Sequence, residues 1–223
     1  MLNGQNKLYV KRKIAFTLAE VLITLGVIGV VAAMTLPTLI FNYQKKVVAN
    51  RLKQTYSLIY QSIEKSKAEY GDSNIWEYDD LETYTKKYIF NNLKYEETDI
   101  PQNYSWKTKD GRIYRSISSI SNYSNIKLSN GTFVFVDLSN NNNRLNVFTD
   151  IDGLGKNNIL GRDIFLFEYK IESGRLWPYG RGLNRENLLK VCKSDKTQAV
   201  YSNLYCTALI ETDNWEIKND YPW

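Results

Sequence analysis

Residues 21 to 44 of this 223-residue chain carry no charged side chain and hold the run V-L-I-T-L-G-V-I-G-V-V-A-A-M-T-L-P-T-L-I-F. A helix of ~20 apolar residues is enough to cross the hydrocarbon core of a bilayer. Ahead of the run stand Lys7, Lys11, Arg12 and Lys13, with no acidic residue before Glu20. A basic segment followed by an apolar one is the pattern of an export or anchoring signal. Glu20 is the exception, a carboxylate at the head of the apolar run. An ionisable group deep in a bilayer costs up to ~3 kcal/mol and is a functional candidate, whereas at the membrane edge it sits in headgroup water.

The stretch Lys13-Ile14-Ala15-Phe16-Thr17-Leu18-Ala19-Glu20, followed by Val21-Leu22-Ile23, resembles the cleavage and methylation motif of type IV prepilins and type II secretion pseudopilins. The resemblance covers about the first third of the chain. It implies that a prepilin peptidase/methyltransferase cuts the Ala15-Phe16 bond, that Phe16 becomes the N-methylated terminus, and that Glu20 serves assembly. Pro37 stands where such helices commonly carry a proline, and Ala15 stands where the family usually has glycine. The implied partners are other pilin or pseudopilin subunits and an inner-membrane assembly platform. The implied location is a single inner-membrane pass, N-terminus cytoplasmic and head periplasmic or extracellular, and then a filament serving secretion, a pilus or DNA uptake.

The physics of such a motif is coherent. A cut on the near side of the apolar run keeps that run as an assembly helix, and the new amino group of Phe16 is a cation that can pair with Glu20 of the adjacent subunit. That pair would offset the desolvation of both charges and set the axial register. A competing reading comes from Val31-Ala32-Ala33, a conventional signal-peptidase pattern. A cut after Ala33 would release an exported periplasmic or surface binding protein that begins at Met34. Charge counting does not fix orientation, because Lys45, Lys46, Arg51 and Lys53 follow the run as densely as the leader precedes it.

Helical periodicity continues past the apolar run. Val48, Leu52, Tyr56, Ile59, Ile63 and Tyr70 form one stripe at the 3.6-residue period, with lysines, glutamines and Glu64 between them. Gly71-Asp72 reads as the stop. Pro37, Gly26 and Gly29 are weak points in that helix, read either as tolerated irregularities or as places where it bends on leaving a bilayer. The implied organisation is a leader at 1–15, an apolar transmembrane or assembly helix at 16–41, its amphipathic continuation at 42–70, and a globular head at 71–223. Leu81 to Leu93 suggests a short helix. Thr132–Leu138, Arg144–Thr149 and Asp163–Ile171 read as strands, with Asn140 to Asn143 as the turn between the first two. The expected fold class is α+β: a long N-terminal helix, its first half membrane-spanning, packed on an antiparallel sheet. That is also the pilin arrangement.

Composition removes chemistry. The chain contains no histidine, so a Ser-His-Asp triad, a Cys-His pair and an H-E-x-x-H zinc site are all excluded. No catalytic residue is singled out, and a building block is expected rather than an enzyme. Cys192 and Cys206 are too few for a thiolate zinc site. They form either a disulfide or two free thiols, and export together with the pilin resemblance, in which a C-terminal disulfide loop is common, favours the disulfide. Asp150, Asp152, Asn157 and Asp163 place hard oxygen ligands in a glycine-containing loop suited to calcium. Leu154 and the lack of a closing glutamate exclude an EF-hand. Similar loops bind calcium in major pseudopilins, and the alternative is a connector capped by Asx turns. The net charge of +5 is no argument for nucleic acid: removal of residues 1–15 leaves 25 basic against 24 acidic side chains.

Overall fold

The computed structural model describes residues 17–139, 143–155, 158–193 and 199–223. The chain divides into two compact units, Met1–Tyr43 and Gln44–Trp223. Helix α1, Leu18–Tyr70, contributes to both and runs through Pro37 without interruption. In the first unit its apolar side chains are exposed, with Leu22 at 61%, Ile28 at 63% and Leu39 at 65%. Among the described residues it is the one helix long and apolar enough to cross a membrane or to act as a signal sequence.

In the second unit α1 buries Ala49, Leu52, Thr55, Ile59, Ser62, Ile63 and Ser66. Val48, Tyr56 and Tyr70 of the same stripe are partly buried against that core. The helix stops where the sequence predicts, because Gly71 takes a φ of +80° that a side chain rarely adopts. A short helix α2, Leu81–Tyr84, is capped by Asp80, which accepts from the Thr83 amide at 2.9 Å. It passes into a π turn at Thr85–Ile89, so the expected helix over 81–93 ends earlier.

The sheet is built from β1 (Tyr95–Glu96), β4 (Tyr123–Leu128), β5 (Phe133–Leu138), β6 (Arg144–Asp150), β7 (Ile164–Lys170) and β8 (Arg175–Pro178). Its spatial order is β1-β4-β5-β6-β7-β8, every pair antiparallel. A separate hairpin joins β2 (Ser105–Lys107) to β3 (Ile113–Ser116). The strands expected at β5, β6 and β7 are present; the turn expected at Asn140–Asn143 lies mostly outside the described residues. Two more helices follow, α3 (Arg185–Cys192) and α4 (Cys206–Thr212).

Both faces of the sheet are covered. Ile126, Val134, Val136, Val147, Phe165, Phe167 and Tyr169 join Leu52, Ile59 and Ile63 of α1 in the larger core. Phe133, Phe135, Phe148, Ile164 and Leu166 pack on the other face with Trp106, Leu160 and Leu204. Double coverage explains why β5 reads F-V-F-V, an apolar run rather than an alternation. Each side chain fully buried in these two layers contributes about 1.5–3 kcal/mol by removing apolar area from water.

Candidate functional site

The first candidate site is the start of α1. Ala15 and Phe16, the implied cleavage and methylation residues, lie outside the described residues. Thr17 and Glu20 form a reciprocal capping pair. The Thr17 amide and hydroxyl donate to Glu20 Oε2 at 2.9 and 2.8 Å, and the Glu20 amide donates to Thr17 Oγ1 at 3.2 Å. This is the capping box, in which a carboxylate three residues past the N-cap satisfies a backbone donor that the helix leaves unpaired. The spacing Thr17-Leu18-Ala19-Glu20 carries that signature in the sequence itself. Glu20 therefore has a local structural duty in addition to the assembly role implied by the prepilin resemblance.

Along the apolar segment two threonine hydroxyls are satisfied within the helix. The Thr24 hydroxyl donates to the Val21 carbonyl and the Thr35 hydroxyl to the Val31 carbonyl, both at 2.9 Å. Such internal pairing is what a side chain would need in hydrocarbon, where water could not take those bonds. Gly26 and Gly29 have no neighbour within 4 Å of a built Cβ. Two spots of low bulk thus lie on a helix whose apolar side chains are uncovered, the composition that lets helices approach one another closely.

The second candidate site is the loop after β6. Asp150 is buried, and its Oδ2 accepts from the Tyr104 hydroxyl at 2.7 Å. Its Oδ1 is buried with no hydrogen-bond donor among the described residues. Burial, with the Asp152 carboxylate alongside, pushes the Asp150 carboxyl up to about 9. Asp163 is pushed up to about 6 by burial despite accepting from the Ile159 amide at 3.2 Å. Asn157 lies outside the described residues. Its neighbour Asn158 holds the Ser105 carbonyl at 3.3 Å through Nδ2 and leaves a buried Oδ1 without a partner among the described residues. No group of three or more His, Cys, Asp or Glu side chains among the described residues stands close enough to hold a metal. A cation here would rest on Asp150 and Asp152 together with amide and backbone oxygens.

The third site is the C-terminal lock. Cys192 and Cys206 form a disulfide that closes a separation of 14 residues between α3 and α4. Around Cys206 gather three groups that sequence patterns do not connect. Gly161, at φ +74°, lies so close that a Cβ there would meet Cys206 Sγ at 2.6 Å. Tyr221 is buried and donates from its hydroxyl to the Gly161 carbonyl. Lys109 donates to the Pro222 carbonyl, sits 3.9 Å from Cys206 Sγ and lies 4.8 Å from the Tyr221 ring centre. Burial, with some repulsion from Arg162, pulls the Lys109 ammonium down to about 7. The aromatic tail is thus an anchored element. It is held also by Arg185, whose Nη2 reaches both Asp213 and Asp220, at 2.9 and 2.8 Å.

The structure defines an α+β protein with a capped, apolar N-terminal helix and a disulfide-closed sheet domain. The chain belongs to the Family of unknown function (DUF6613), whose profile matches residues 38–223. The capping box and most of the apolar segment precede that match. No curated protein and no solved structure matches the chain.

Proposed function

We propose that the chain is a structural subunit of a type IV pilus-like or type II secretion pseudopilus filament, cleaved after Ala15 and N-methylated at Phe16. The observation that carries this reading is the combination at one helix end: the prepilin-like motif, the Glu20 carboxylate, and the uncovered apolar side chains that follow it. In this reading the apolar half of α1 is held in the inner membrane until it packs against other subunits. The second unit is then the pilin-like head, displayed outside the cytoplasm, where its disulfide persists. Pro37 and the two glycines are the places where α1 adjusts between bilayer and filament.

Mass spectrometry of the mature protein after co-expression with a prepilin peptidase tests this. The expected product begins at methyl-Phe16. A product beginning at Met34 supports an exported binding protein instead, and an unprocessed chain removes the filament reading.

Calcium belongs to the same proposal. The orphaned Asp150 Oδ1 beside Asp152 fits a hard cation, and a bound calcium ion would supply the positive charge that these carboxylates lack. Millimolar calcium is expected to raise the melting temperature of the full-length protein by several degrees. Asp150→Ala and Asp152→Ala should each remove that rise, whereas an equal calcium response in all three proteins would rule the site out.

A further inference from the structure

Two clefts at opposite edges of the six-stranded sheet are lined by side chains of opposite net charge. At the β1 edge a cleft is lined by Glu82, Glu97 and Asp99, with Lys86 as its one cation. Lys86 is shared between Glu82 at 2.8 Å and Glu97 at 2.7 Å, so the cleft keeps a net negative charge. At the β8 edge a cleft is lined by Lys67, Arg175 and Arg181, with Glu64 as its one acid. Glu64 is taken by Lys67 at 2.7 Å. Arg175 and Arg181 are exposed and form no ion pair among the described residues. Tyr60, 42% exposed, supplies an aromatic surface beside them.

The strand order places these clefts at opposite ends of the sheet, five inter-strand spacings or roughly 24 Å apart. β1 is only two residues long, and β8 ends in Pro178, which has no amide hydrogen. Plain strand addition is therefore blunted at both edges, and any docking there must run through side chains.

We propose that the β8-edge cleft of one copy docks the β1-edge cleft of a second copy. The occupant follows from charge complementarity within a single chain: one cleft lining is net negative and the other net positive. Because the two patches differ and face away from each other, the contact is head-to-tail, repeats from copy to copy, and does not close into a dimer. The inference rests on the filament reading and names a head-to-head contact for it, separate from the packing of α1.

The test uses the full-length chain reconstituted in lipid vesicles. Asp99→Cys and Arg175→Cys placed in one chain should give, on oxidation, a ladder of dimers, trimers and higher species. Either substitution alone should give none. In the double-cysteine background Arg181→Glu should cut the trimer yield about tenfold, because like charges then face each other. Adding Glu97→Arg should restore it. The ladder should also fade as salt rises from 0.01 to 1 M, over which the Debye length falls from about 30 to 3 Å.

Dimers from a single cysteine would show a symmetric contact and overturn the proposal. So would a missing ladder in protein that keeps the Cys192–Cys206 disulfide, or a charge swap that fails to restore what Arg181→Glu removed. The mature N-terminus measured on cells making the same chains separates the two ideas. Processing to Phe16 without a ladder defeats the edge contact alone; absence of that processing defeats the filament reading.

Discussion

Gly161→Ala is expected to destabilise the sheet domain by about 3 kcal/mol, combining the cost of a left-handed alanine with that of overpacking. The added methyl would stand 2.6 Å from Cys206 Sγ, 2.9 Å from Cys206 Cβ and 3.2 Å from the Asn203 carbonyl oxygen. Cys206 cannot swing aside, because it is bonded to Cys192 and fully buried. The backbone of Gly161 is held as well: its amide donates to the Ile164 carbonyl at 2.8 Å and its own carbonyl accepts from Tyr221. Thermal unfolding should show a drop of roughly 6 to 12 °C for a domain of this size. Truncating Cys206 to alanine in the same chain should relieve the clash with Sγ, the shortest of the three contacts, so the two substitutions together should cost less than their sum. A melting temperature within about 2 °C of wild type would mean that Gly161 is not pinned in this way.

Lys109→Met is expected to stabilise the protein at pH 6 and to lose that advantage by pH 10. The folded-state pKa of Lys109, near 7, lies below its ordinary 10.5. A cation whose pKa is lowered by folding opposes the native state fully below the folded value. That penalty disappears as pH rises from about 7 to 10.5. At 1.36 kcal/mol per pH unit the span corresponds to at most about 5 kcal/mol. Above that window the neutral amine still donates to the Pro222 carbonyl, so wild type should equal or exceed the methionine variant. Asp150 and Asp163 are shifted upward and give a slope of opposite sign. The measurement is therefore the difference between variant and wild type across pH, in which the carboxylate contributions cancel. A difference that does not change with pH would show that the lysine is not desolvated.

Both effects meet at the C-terminal lock, the part of the molecule that was least legible in the sequence. Lys109, Gly161, Cys206 and Tyr221 are brought together by tertiary packing, and no periodicity links them. The legible elements were those with a strong local signal. The α1 stripe has a clear 3.6-residue period and a glycine stop. β5, β6 and β7 hold Phe133–Leu138, Arg144–Asp150 and Ile164–Lys170, with apolar runs dense enough to declare themselves. β4 was harder, because only Ser124, Ile126 and Leu128 are buried while Tyr123, Asn125 and Lys127 keep some or most of their exposure. Embedded in a run of serine and asparagine, it reads as loop. β8 has four residues, and the β2–β3 hairpin buries only Trp106 fully. Of the calcium candidates, Asp150 and Asp152 stand side by side, and Asp163 is near enough for the Asp152 charge to be felt. The Thr17–Glu20 capping box was readable from spacing alone, since both partners lie within one helical turn.

Sheet order has a kinetic consequence. α1 is synthesised before every strand that covers it, and its buried face at Leu52, Ile59 and Ile63 has nothing to pack on until β4 through β7 exist. Between the synthesis of Ile63 and that of Tyr169, at 5–20 residues per second, roughly 5 to 20 s elapse. During that interval the chain presents an uncovered amphipathic stripe directly after an uncovered apolar helix. Expression without a membrane or a chaperone to shield both should therefore lose protein to aggregation before the sheet is complete, whatever the stability of the finished fold.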